Sequence, residues 1–98
     1  MIAARHVELR EAKKLYSRAA NIRRKHLGEA DPRLAGTLHS LAGVYKELSE
    51  FEKALPLLQE AFGIQTRALG SDHPDTIATA KHLQQLGRRM KTKMVRVG

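Results

Sequence analysis

The sequence predicts an all-α protein, a stack of antiparallel helical hairpins of the α-solenoid kind with about two repeats. Three observations predict it. The chain repeats itself at an offset of 42 residues: Leu27-Gly28-Glu29-Ala30-Asp31-Pro32 returns as Leu69-Gly70-Ser71-Asp72-His73-Pro74. Laying residues 1–56 on residues 43–98 gives ten identities, against roughly three or four expected by chance. They are Glu8/Glu50, Ala12/Ala54, Leu15/Leu57, Ala19/Ala61, Ile22/Ile64, Leu27/Leu69, Gly28/Gly70, Pro32/Pro74, Thr37/Thr79 and Leu41/Leu83. Apolar residues between these loops recur at three- and four-residue steps, the period of a helix with one buried face. A period of this length means units that bury their apolar faces on one another and present a surface.

The first helix is predicted from about Ile2 to Leu27, with Leu9, Ala12, Leu15, Tyr16, Ala19 and Ile22 on its apolar face. The repeat would place a turn before Leu9, but no Gly, Pro, Asn or Asp stands there, so one continuous helix is expected. It should stop at Leu27. Gly28 suits a left-handed C-terminal position, and Arg24, Lys25 and His26 complement the helix dipole. Asp31-Pro32 restarts the chain, Asp31 as N-cap and Pro32 in the first turn. The second helix, 32–48, turns Leu34, Leu38, Leu41, Ala42, Tyr45 and Leu48 inward. After a short turn at Ser49-Glu50, the third helix, 51–69, buries Phe51, Ala54, Leu57, Leu58, Ala61, Phe62 and Ile64. Pro56 removes one amide donor near its start. The fourth helix, 74–91, points Ile77, Ala80, Leu83, Leu86 and Met90 inward, and residues 92–98 are expected to fray. The whole chain, 1–98, reads as a single helical-repeat domain with segments near 1–27, 32–69 and 74–91.

Composition narrows the function classes. The chain has no cysteine, which excludes disulfides, thiolate metal sites and a cysteine nucleophile and suits a reducing compartment such as the cytoplasm. No apolar run approaches the roughly 18 residues of a membrane span. Met1 to Glu8 has no apolar signal core, so a signal peptide is not expected. The net charge of +8 divides into +4 over residues 1–31, zero over 32–69 and +4 over 70–98. Basic ends can attract acidic peptides, nucleic acid or anionic lipid, or simply keep a small protein soluble.

These residues resemble the tetratricopeptide repeat. Leu38-x-x-Leu41-Ala42-x-x-Tyr45 is followed by Ala54-x-x-x-Leu58-x-x-Ala61. Alanines leave room where two helices approach, and the larger residues fill the gaps between them. The 42-residue period and the Leu69-Gly70-Ser71-Asp72-His73-Pro74-Asp75 loop resemble the long variant of kinesin light chains, over residues 8–90. That resemblance implies a protein–protein interaction scaffold with a concave peptide-binding groove. By position, the groove residues would be Gly36, His39, Gly43 and Lys46 on one helix and Ala78, Lys81, Gln85, Arg88 and Arg89 on the next. Kinesin light chains carry Leu-Asn-Asn-Leu-Ala where this chain has Leu38-His39-Ser40-Leu41-Ala42 and Ala80-Lys81-His82-Leu83-Gln84, so both asparagines are absent twice. Gln84 and Gly87 replace the equivalents of Ala42 and Tyr45, which suits a capping helix.

Basic groove residues offer charge-assisted donors to carboxylates, so the expected partner is an acidic or acidic-flanked peptide. No cofactor and no metal are expected. His39 and His82 fall one residue apart in repeat register, and no histidine pair shares a helix face at ligand spacing. His73 belongs to the loop and is expected to cap or pack. No P-loop, dinucleotide fingerprint or nucleophile elbow is present, and an enzyme is not expected. The alternative partner is nucleic acid, met by Arg23-Arg24-Lys25 and Arg88-Arg89-Met90-Lys91-Thr92-Lys93. The four aromatic residues, however, read as structural and leave no stacking platform. A third possibility is a structural or oligomerising fragment of a longer array. Ile2, Leu9, Leu15, Tyr16 and Ile22, with Leu83, Leu86, Met90 and Met94, exceed what two partial repeats can cover. A homodimer by end stacking or helix exchange is therefore also expected.

Overall fold

The computed structural model describes the backbone of residues 2–97 and the side chains of residues 5–91. Four helices run antiparallel in chain order: α1 (Ile2–Leu27), α2 (Pro32–Glu47), α3 (Phe51–Leu69) and α4 (Pro74–Val97). Among the described residues there is no strand. α2 packs between α1 and α3, and α4 packs on the far side of α3.

Each boundary has a local cause. Gly28 and Gly70 hold φ of 89° and 94°, the left-handed region where a side chain is costly. Asp31 is extended and accepts the amide of Arg33 at 2.8 Å, so α2 opens on a satisfied donor. The α2–α3 turn manages without glycine: Ser49 adopts φ 60°, and the Glu50 amide donates to the Tyr45 carbonyl at 2.8 Å. His73 Nδ1 accepts the amide of Asp75 at 3.1 Å, so the loop histidine caps α4. α3 is continuous through Pro56. α4 runs past residue 91, where the sequence reading ended it. The fraying expected of 92–98 lies outside the described side chains, as do Ile2 and Met94.

The core has two clusters. One joins Leu34, Ala35 and Leu38 of α2 to Ala61 and Ile64 of α3 and to Ala20 of α1, with Leu57 against it. The other joins Ala42 to Ala54, Leu58 and Leu86, with Tyr45, Phe51, Leu83 and Met90 at its margin. Ala42, Ala54 and Ala61 have no exposed surface, as expected where helix axes approach closely. Leu41 is buried in the same layer.

Two expectations for the inward faces are corrected. On α1, Leu9 is buried as expected, but Leu15 and Ile22 are 63% and 53% exposed and Tyr16 is at the surface. The buried register is Leu9 and Ala20, the side that meets α2. On α4, Ile77 is 42% exposed, while Thr76 and Thr79 are buried in its place. The physical reason is common to both ends. Each terminal helix has apolar residues on two sides, and only one side meets a neighbour.

Candidate functional site

Gly36, His39, Gly43 and Lys46 rise along one side of α2 at helical spacing, and α4 lies across from them. Two depressions open between these helices. The larger, about 690 Å³, is lined by Gly43, Lys46 and Glu47 of α2 and by Gln85, Leu86, Arg88 and Arg89 of α4. The smaller, about 240 Å³, is lined by Gly36 and His39 of α2, Gln65 of α3, and Asp75, Ala78, Thr79 and His82 of α4. A Cβ on Gly36 or Gly43 would meet nothing within 4 Å, so open space lies over both. Of the groove residues expected from the sequence, Lys81 alone lines neither depression; it is exposed beside them.

The larger depression is basic. Lys46 and Arg88 pair with no carboxylate among the described residues. Arg89 lies 5.8 Å from the centre of the Phe51 ring, within cation–π range, which steadies its guanidinium at one end of the groove. Glu47 is the one acid lining this depression, and Arg5 pairs with it. The free charge facing solvent is therefore positive.

The smaller depression is polar and largely satisfied. His39 Nε2 and His82 Nδ1 lie 2.6 Å apart, one donating its proton to the other. Their ring centres are 4.7 Å apart with the planes tilted by 44°. Burial, then the neighbouring His82 and Lys46 charges, holds His39 below the ordinary imidazole value, with Asp75 opposing. Burial and Lys46 lower His82 in the same direction. Both rings therefore favour the neutral form more than a free imidazole does. Beneath them Thr79 Oγ1 donates to Gln65 Oε1 at 2.6 Å, which locks α3 to α4. No third His, Cys, Asp or Glu is placed to complete a metal site among the described residues.

Sequence reasoning missed the His39–His82 contact. Repeat register aligns His39 with Lys81 and Ser40 with His82, yet α2 and α4 are staggered enough to bring the two rings together. Gln65, Asp75 and Thr79 were also missed as lining residues, because two come from the far end of the repeat and one from a different helix. The α1 residues Arg23, Arg24 and Lys25 lie apart from this groove. Arg24 forms a two-pronged ion pair with Glu60 at 3.0 and 3.1 Å that ties α1 to α3. No helix among the described residues is long and apolar enough to cross a membrane.

Residues 34–75 match the tetratricopeptide repeat family. The matched span covers α2, α3 and the capped loop that opens α4. No curated protein matches the chain. Repeats of this family are protein–protein interaction scaffolds and are generally non-catalytic. Residues 34–75 are therefore a tetratricopeptide repeat, set in an all-α helical-repeat fold of about two repeats.

Proposed function

We propose that the groove between α2 and α4 binds an extended, acidic segment of a partner protein. The observation that carries this reading is the unpaired positive charge of Lys46 and Arg88 around the open depression floored by Gly43. Carboxylates entering there gain charge-assisted hydrogen bonds, and Gln85 offers both a donor and an acceptor to peptide backbone. Glycine at positions 36 and 43 lets an extended main chain approach α2 closely. The resemblance to kinesin light chains supports the peptide mode in outline, while the absent asparagines shift the grip from backbone amides to charge. Nucleic acid is the weaker reading. Tyr45 and Phe51 pack at the margin of the core, and the exposed Tyr16 lies on α1, which lines neither depression, so the groove offers a single strand no row of rings to stack on.

The test is a fluorescence titration with an acidic peptide and its charge-reversed counterpart. Wild type should prefer the acidic peptide, and affinity should fall as salt rises. Lys46→Glu/Arg88→Glu should weaken binding by roughly tenfold or more, from exposed pairs worth about 0.2–1 kcal/mol each turned to repulsion. Its melting temperature should stay close to that of wild type. Equal binding of the two peptides would end the reading, and far tighter binding of nucleic acid would put the alternative in its place.

A further inference from the structure

The two depressions lie in line along one groove. His39 and Lys46 are seven residues apart on α2, about 10 Å along its axis, which an extended peptide covers in about three residues. The two ends differ in charge. Lys46, Arg88 and Arg89 line the larger depression, whereas Asp75 is the one charged side chain lining the smaller. His73 does not offset it. Its Nδ1 lies 4.0 Å from the Asp75 carboxylate but accepts the Asp75 amide, and so bears no proton. α3 contributes the uncharged Gln65 to this end, and its amide oxygen is taken by Thr79. Lys81, next to His82 in sequence, lines neither depression. At neutral pH the smaller depression therefore offers a carboxylate no cation of its own.

The His39–His82 pair changes that when it takes up a proton. It is a hydrogen bond spanning the groove from α2 to α4. Its two rings have four nitrogens, and in the neutral pair two of them carry protons. One proton lies in the 2.6 Å gap and the other on an outer nitrogen. A third proton has a place on the remaining outer nitrogen, where it leaves the shared hydrogen bond intact. It makes one ring an imidazolium with a free N–H donor. Both rings are partly exposed, so solvent protons reach them. Burial opposes that proton, as does Lys46 of α2, while Asp75 of α4 favours it at His39. A carboxylate arriving in the groove adds a second negative charge on the favourable side. Resting on the reading that this groove takes an acidic segment, we propose that the His39–His82 pair is a second carboxylate subsite, opened by uptake of one proton. The partner it fits carries two acidic residues about three positions apart. One meets Lys46 and Arg88, and the other meets the pair.

Three peptides test this: one carrying Asp-x-x-Asp, and the two in which one Asp is replaced by Asn. Affinities are compared at about pH 7.5 and about pH 5, where Asp is still ionised, at one ionic strength. On acidification, wild type should gain roughly two- to fivefold more affinity for the two-Asp peptide than for either single-Asp peptide. His39→Gln/His82→Gln should lose that difference. His6, His26 and His73 are present in both proteins and cancel from the comparison. A second readout needs no variant. Bound two-Asp peptide should move the ring-proton titrations of His39 and His82 to higher pH, because peptide binding and protonation are linked. A gain on acidification equal for all three peptides, or one kept by the double variant, would overturn the proposal. So would histidine midpoints left unmoved or lowered by the peptide. The underlying reading is judged separately at about pH 7.5, where single-Asp peptides should bind more tightly than their Lys counterparts. Loss of that preference would end both, whereas the preference without the acid-dependent gain would end the subsite alone.

Discussion

His39 and His82 face each other across 2.6 Å, and a single shared proton satisfies that arrangement. A second proton in that gap would turn one ring into a cation and set two N–H donors against each other, beside Lys46. Both imidazoles are therefore lowered in the folded chain, while the unfolded chain titrates near the ordinary value of about 6.5. Just below that pH the unfolded state binds more protons than the folded state, so stability falls as acid is added. The contribution is complete above about pH 6.5 and is lost as the pH drops through the lower folded-state values. Urea midpoints should rise between about pH 5 and pH 7. His39→Gln/His82→Gln should flatten that rise. An unchanged slope in the double variant would show that the pair does not titrate as described. The pair was illegible in the sequence. A 42-residue offset brings equivalent positions into register, whereas contact between two helices also depends on their stagger, which no residue type announces.

Helix ends were legible because each is set by a residue with a short-range task. Gly28 and Gly70 supply left-handed backbone, and Asp31 and His73 accept free amides. Ser49 at φ 60° is the exception, since serine carries no such signal. The faces of α1 and α4 were less legible. Periodicity reports that Leu15 and Ile22 are apolar and on one side, but not whether a partner exists to cover them. The same distinction yields a stability prediction. Ala61→Asp places a carboxylate where α2 and α3 touch and should cost about 3 kcal/mol or more. Its repeat equivalent Ala19 is only partly buried on α1, so Ala19→Asp should cost clearly less, about 1 kcal/mol. Thermal melts by circular dichroism at low micromolar concentration separate the two. Equal losses would mean that the α1 face is already closed within one chain.

At the scale of the molecule, two partial repeats form one groove between α2 and α4. The +8 net charge is carried mainly by residues 1–31 and 70–98, and the groove joins Lys46 of α2 to the basic side of α4. The position of the candidate groove was legible: eight of the nine residues placed there from the sequence line one of the two depressions, and Lys81 does not. Helical spacing along α2 and α4 accounts for that placement. The acids Glu47 and Asp75 went unnoticed because surface acids leave no periodic trace. The central claim, that this groove is the binding surface, is tested most directly by amide chemical-shift mapping with an acidic peptide. Gly36, Gly43, Gln85 and Arg88 should shift together and saturate with the peptide. Shifts confined to α1 or to the outer side of α3, with the Gly36 and Gly43 amides unmoved, would contradict it.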